Sequence, residues 1–262
     1  LKKMNEAMYY RGPDSEGYYI KENFGMAMKR LSIIDLKNGN QPFKSKNEKV
    51  NLIFNGEIYN YIELRNDLLK IGYKFLTSSD TEVILNSYLE YGENFVKKLN
   101  GMFSICIFDE RVSNKILIFR DRFGVKPLYL YTNKNQLIFA SDLNCFKSYL
   151  KDIKKSEKNF LKYLFLNYFP NNQTVYENIK KLLPSNYIVI ENNKLYQKKY
   201  WDLTESQNRL SNSDPQEEIY DILKQSVSIN LRSDVRIATL LSSGIDSSVV
   251  AYEVSKNIKD QQ

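Results

Sequence analysis

The sequence predicts a layered α+β domain with sheets facing one another, followed by the opening of a doubly wound α/β unit. Three observations carry that reading. Short runs of Ile, Phe, Tyr and Leu recur between turn signals from Tyr18 to about Ile190. Two helical stretches interrupt them. After a polar stretch, an apolar segment passes through a small-residue turn into a helix. At 262 residues the chain has room for one large domain or two ordinary ones of ~150 residues.

The elements follow in order. Leu1, Met4 and Met8 fall at helical spacing, so Leu1–Tyr10 reads as a helix already under way until Arg11-Gly12-Pro13-Asp14 stops it. The strand candidates are Asn51–Phe54, Met102–Phe108, Ile116–Phe119, Leu128–Tyr131, Gln136–Ala140 and Tyr187–Ile190. Of the two helices, Tyr61–Ile71 opens after Asn60 and closes at Gly72, while Thr81–Tyr91 opens after Asp80 and closes at Gly92. Residues 1–203 therefore form the first domain, and Thr204–Asp214, polar and without apolar period, is a linker. Residues 215–262 begin a second domain. Pro215 opens a helix to about Leu231, Val235–Leu241 reads as a short buried strand, and a helix starts at about Ser247. These roughly fifty residues are too few to close a doubly wound sheet. With Leu rather than Met at position 1, the expectation is a chain cut at both ends.

Composition narrows the chemistry. Hydrophobic residues make up 42% and charged residues 26%, enough to bury a core. The longest charge-free run, Tyr163–Tyr176, is broken by Asn167, Pro170, Asn171 and Asn172, so no membrane span or signal peptide is expected and the protein reads as cytoplasmic. There is no His, which removes every mechanism that needs an imidazole. Two cysteines are too few for a thiolate zinc site or a disulfide framework. Carboxylates, hydroxyls, lysines, backbone amides or a terminal α-amine must carry proton transfer. The net charge of +7 is spread over scattered lysines and forms no basic cluster, which reads as solvated surface rather than a nucleic-acid patch.

Leu241-Ser242-Ser243-Gly244-Ile245-Asp246-Ser247-Ser248 has the features of a phosphate loop. Small residues let backbone N–H groups approach an anion, and the following helix adds partial positive charge. The serine hydroxyls can donate to phosphate oxygens, and Asp246 can hold the Mg²⁺ that accompanies ATP. An ordinary helix cap explains the same residues. The run is neither GxxxxGK[ST] nor GxGxxG. It resembles the S-G-G-x-D-S-S pyrophosphate loop of enzymes that adenylylate a carboxylate, with Ser243 where that pattern has Gly.

Five further blocks occur in order: Arg11-Gly12-Pro13-Asp14, Arg30-Leu31-Ser32-Ile33, Asn55-Gly56-Glu57-Ile58-Tyr59-Asn60, Ser79-Asp80-Thr81-Glu82, and Arg120–Tyr129 (RDRFGVKPLY). Together they resemble the glutaminase domain of the glutamine-hydrolysing asparagine synthetases, bacterial B type, and the likeness runs through essentially the whole chain. It implies a four-layer αββα sandwich of the N-terminal-nucleophile (Ntn) hydrolase kind, then the start of a PP-loop ATP-pyrophosphatase domain. The residue chemistry fits independently. Arg30 suits bidentate binding of an amino acid's α-carboxylate. Asp80 with Glu57 can take its ammonium. A tetrahedral oxyanion needs preorganised neutral donors, and the resemblance gives that role to Asn55 and Gly56. Leu31, Ser32, Ile33 and Ile34 complete the implied glutamine site. A hairpin turn is the plainer reading of Asn55-Gly56, and an exposed ion pair or helix cap that of Arg30 and Asp80.

The resemblance further implies a nucleophilic amino-terminal Cys whose own α-amine is the base, roughly twenty residues before Arg11 and absent from this sequence. Cys106 and Cys145 read as inert packing. Arg11 and Asp14 are expected to pair, Asp121, Arg122 and Lys126 to brace a turn, and Trp201 to plug the linker against the sheet. Tyr10 stands where the synthetases carry His. The implied reaction moves ammonia from glutamine to an adenylylated aspartate, giving asparagine, AMP and pyrophosphate, in a protein that binds neither nucleic acid nor membrane; a homodimer is compatible with it. Two alternatives stay open: the same chemistry on another carboxylate, such as a sugar acid or peptide, or a non-catalytic glutamine-binding scaffold.

Overall fold

The computed structural model describes residues 1–206 and 214–257. Most of the expected linker, 207–213, lies outside the described residues. Five antiparallel pairings build a six-stranded sheet from β3 (Phe43–Lys44), β4 (Val50–Ile58), β5 (Gly101–Asp109), β6 (Lys115–Arg120), β10 (Asn186–Glu191) and β11 (Lys194–Lys199), in spatial order β11-β10-β6-β5-β4-β3. Alternation along its strands sorts the side chains onto two faces. Leu52, Phe54, Phe103, Ile105, Ile107, Leu117, Phe119 and Val189 enter one core with Leu64 and Leu68 of α2 (Tyr61–Lys70) and Val83, Ile84 and Leu85 of α3 (Asp80–Tyr91). The short helix α4 (Phe95–Lys98) adds Phe95 and Val96 to it. Burial on both faces explains why β5 reads as an almost unbroken apolar run.

Ile53, Cys106, Ile118 and Ile188 point the other way, into a second core with Met26 and Leu128. Facing them are a hairpin of β1 (Ser15–Lys21) and β2 (Phe24–Arg30), and a three-stranded sheet of β7 (Tyr129–Thr132), β8 (Leu137–Ala140) and β9 (Ile179–Lys181), in the order β8-β7-β9. Outside that layer, α1 (Lys2–Glu6) and α5 (Leu143–Tyr149) enclose a third core around Cys145, Phe146 and Ile179, with Met4 and Met8 packed against it. Helix α6 (Glu157–Leu166) follows α5 in the chain. The layers are helix, sheet, sheet, helix, as expected.

Several local expectations are corrected. The first helix ends at Glu6, and Tyr9–Arg11 is a separate 3-10 turn. Asn60 precedes α2 without capping it, because its side chain donates to Lys98 O (3.0 Å) and accepts from Asn100 N (2.9 Å) instead. The cap of α3 is Ser79, whose Oγ accepts from Thr81 N at 3.1 Å, and Asp80 is already helical. Val235–Leu241 is not a strand, and Leu240 and Leu241 are exposed. A strand needs a ladder partner, and among the described residues none pairs with this segment. The helices on either side form: α7 (Pro215–Asn230), capped by Asp214, and α8 (Ile245–Asn257), joined by the hydrogen bond from Tyr220 Oη to Glu253 (2.8 Å).

Candidate active site

Asn55-Gly56 lies within β4, paired with Ser104 and Phe103, so the turn reading does not hold. The reason is the glycine. At Gly56, φ is +152° and a Cβ would stand 1.9 Å from Met102 O, so a residue without a side chain lets the two backbones approach. Alternation then sends Asn55 and Glu57 to the face opposite the helix core. There they line a cavity of about 440 Å³ together with Arg30, Ser79, Asp80 and Lys126. Leu31, Ile33 and Ile34, from the connection after β2, line it as well. Ser32 does not; its backbone N–H donates to the Asp14 carboxylate at 2.8 Å.

Arg30 ends β2 buried, and its guanidinium is oriented by three carbonyls: Ile34 at 3.0 Å, Asp35 at 2.8 Å and Leu36 at 3.4 Å. Burial lowers its pKa while Asp35, Asp80 and Asp14 pull it up, so it remains a cation. Because Ser79 makes the cap, the Asp80 carboxylate is free to accept from Ile58 N at 3.2 Å. Burial, reinforced by the charge of Glu57, pushes Asp80 up to about 7. Burial also raises Glu57, and Lys126 opposes that. Lys126 is itself lowered by burial and held up by Glu57. The Asn55 amide carries two N–H donors, of which one goes to Ser141 Oγ at 3.1 Å. The cavity therefore juxtaposes a fixed guanidinium, two carboxyls and amide donors, which is the complement of a zwitterion with a polarisable side-chain carbonyl.

The rim departs from expectation. Arg11 faces Asp142 at 4.0 Å rather than Asp14, and the Tyr10 hydroxyl also donates to Asp142. Asp121 does brace its turn, accepting from the backbone N–H groups of Phe103, Phe123, Val125 and Lys126. Lys126 reaches the cavity, which its place in a turn concealed. Gln41 was missed too: it lines the cavity and accepts from Phe54 N at 2.6 Å, with no sequence signal beyond a polar residue before Pro42. Trp201 packs edge-on against Phe123, with ring centroids 5.5 Å apart. Cys106 and Cys145 are buried; burial pushes the Cys106 thiol far up and Cys145 up to about 11, which suits packing and not nucleophilic attack.

A second cavity of about 450 Å³, mostly apolar, lies between β2 and β8. Among the described residues β2 pairs only with β1 and β8 only with β7, so two strand edges face each other across it. Met8, Met28, Phe54, Asn55 and Ser141 line both cavities.

The loop at 241–248 stands apart. Ser242 Oγ and Ser247 Oγ share a hydrogen bond of 2.7 Å, Gly244 N donates to Ser242 Oγ at 3.2 Å, and Ser248 Oγ donates to Gly244 O at 2.9 Å. Ser243 does not take a positive φ, so a side chain is unstrained where the pattern has Gly. Ile245 and Asp246 start α8 and are exposed.

The fold and the site define a class. The profile of the glutamine amidotransferase domain matches residues 1–201, and that of asparagine synthase matches 218–259. The chain belongs to the glutamine amidotransferase domain family. It is 38% identical over 251 residues to asparagine synthetase [glutamine-hydrolyzing] 1 of Bacillus subtilis, covering 95% of this chain and 40% of that one. It is 33% identical to the amidase chry2 of Gibberella zeae, covering 99% of this chain and 39% of the other. The chain thus spans about two fifths of these relatives' length. Among solved structures, the glutamine phosphoribosylpyrophosphate amidotransferase of B. subtilis shares the fold, with a TM-score of 0.51 at 17% identity, over 90% of this chain and 51% of that one. No helix among the described residues is long and apolar enough to cross a membrane.

Proposed function

We propose that the protein releases ammonia from glutamine in the Arg30–Asp80 cavity and passes it to a carboxylate activated with ATP at the 241–248 loop, with aspartate as acceptor and asparagine as product. The single observation that carries this reading is that Arg30, Asn55, Gly56, Glu57 and Asp80, scattered over fifty residues, line one cavity. Arg30 binds the α-carboxylate, Asp80 and Glu57 the ammonium, and the amides of Asn55 and Gly56 face the oxyanion that forms as the side-chain amide is attacked. Leu31, Ile33 and Ile34 wall the substrate.

Neither buried cysteine supplies the nucleophile. The slot between β2 and β8 supports its delivery on a strand preceding Leu1, which would pair both open edges and end beside Asn55. A Cys at the start of that strand would attack the amide carbon, its α-amine taking the thiol proton and giving it to departing ammonia.

In the loop, Ser242, Ser243, Gly244, Ser247 and Ser248 would hold ATP phosphates, with Leu241 and Ile245 flanking them. The serine hydroxyls already turned into the loop suit an anion cradle. Asp246, exposed at the start of α8 beside these serines, is the carboxylate that would hold Mg²⁺ brought by the nucleotide. Bound there, Mg²⁺ would neutralise charge on the triphosphate.

In the full-length protein, Arg30→Ala should lower glutamine-dependent AMP release at least ~100-fold, the loss expected when a bidentate charged contact goes. Ammonia-dependent release should stay within a factor of ~2, and an equal fall in both would refute the assignment. Asp246→Asn should suppress ATP–pyrophosphate exchange with either nitrogen source. Normal exchange removes Asp246 from the metal site. An acceptor screen for AMP release separates aspartate from sugar acids and peptides.

A further inference from the structure

The connection between β2 and β3 carries four wall residues of the cavity, Leu31, Ile33, Ile34 and Gln41, yet has no regular secondary structure. Its shape and the aim of Arg30 depend on each other, because the guanidinium is held by the carbonyls of residues 34 to 36. One side of this loop is tied inward. The Asp35 carboxylate accepts from Asn38 N (3.0 Å), Asn38 Nδ2 (3.2 Å) and Ser78 N (2.8 Å).

The other side is tied by residues that follow α7, two hundred positions downstream. Asp35 N donates to Asp234 Oδ2 at 2.7 Å, and Asp234 N donates to Ile33 O at 3.0 Å. Two residues earlier, Arg232 forks onto Glu63, with N–O distances of 2.6 and 2.5 Å, and also donates to Tyr59 O. Tyr59 directly follows the Asn55–Ile58 end of β4, and Glu63 lies in the first turn of α2. Arg232-Ser233-Asp234 thus bridges the residues that follow β4 to the loop that aims Arg30.

We propose that Asp234 is a positioning residue for glutamine, with Arg232 and Glu63 as its anchor, so that the segment leading to the phosphate loop completes the glutamine pocket. The inference rests on reading the cavity as a glutamine site, and it goes beyond that reading by making the pocket depend on the second region of the chain. A charged acceptor on a backbone N–H is worth more than a neutral one, and its removal leaves Asp35 N without that partner and the loop with one tie fewer to this segment, the bond from Asp234 N to Ile33 O remaining.

The test uses the full-length protein and two readouts. In Asp234→Ala, amide hydrogen exchange across residues 31–39 should speed up about tenfold, and the glutamine KM for glutamate release should rise about tenfold with kcat within about twofold. Asp234→Asn keeps an acceptor oxygen without the charge and should move both readouts clearly less than Asp234→Ala does, which distinguishes a lost contact from a damaged fold. Unchanged exchange in Asp234→Ala overturns the latch. Faster exchange with an unchanged KM overturns its role in positioning. If wild-type protein releases no glutamate, the glutamine reading itself falls, while exchange still decides whether Asp234 holds the loop.

Discussion

Asp80 and Glu57 are two carboxyls lining one cavity, and burial with mutual repulsion keeps Asp80 neutral up to about 7, far above its ordinary 3.8. In the proposed glutamine site, the substrate's ammonium needs the ionised form. With a pKa of about 7 the ionised fraction falls from about one half at pH 7 to about a tenth at pH 6, so the glutamine KM should rise about fivefold over that step. Asp80→Asn should bind glutamine poorly at every pH and lose this dependence. Stability has the opposite sign. The folded value lies above the unfolded one, so the contribution of Asp80 is fully present below about 4 and is lost as pH rises through 7. At pH 8, denaturant titration should find Asp80→Asn more stable than wild type, by on the order of 1 kcal/mol. A pH-independent KM in the wild type would remove Asp80 from the ammonium site.

Elements show why some of this was legible and some was not. The apolar runs of β4, β5, β6 and β10 were readable because both faces of the central sheet are buried. The hairpin β1–β2 was not, because its half-buried strands mix Lys, Glu and Gly with aromatics. Asn55-Gly56 reads as a turn locally, and only the pairing of Gly56 with Phe103 explains the glycine as a close-approach residue. That Arg30, Asn55, Gly56, Glu57 and Asp80 share one cavity was foreshadowed by the ordered motif blocks and their resemblance to a glutaminase domain, whereas Lys126 and Gln41 enter through loop geometry that no spacing encodes. At the start of α3, Ser79 and Asp80 compete for the cap, and the structure gives it to Ser79. Ser79→Ala should therefore cost about 1 kcal/mol of stability. It should also raise the glutamine KM, because Asp80 is then free to turn toward its own helix amides. Full retention of both quantities would show that Ser79 is dispensable.

At the scale of the whole molecule, the second layer is two sheets rather than one. The six-stranded sheet is continuous, whereas β1–β2 and β8-β7-β9 are separate sheets with a cavity between them lined by Phe24, Met26, Leu137 and Phe139. A single extended strand there would merge both sheets into one layer of six, matching the sheet it faces. It would also bury apolar side chains that otherwise line an open cavity of about 450 Å³. Two consequences are measurable. The present chain should bind a hydrophobic dye such as ANS, and a chain extended upstream through a Cys-initiated strand should lose most of that signal. The extended chain should also melt at least about 5 °C higher, since each kcal/mol is worth about 2–4 °C in a domain of this size. Replacing alternate apolar residues of the added strand by Lys should return both dye binding and melting temperature to those of the present chain, because strand alternation points those residues into the second core. Equal dye binding and melting with and without the extension would place the nucleophile elsewhere than beside Asn55.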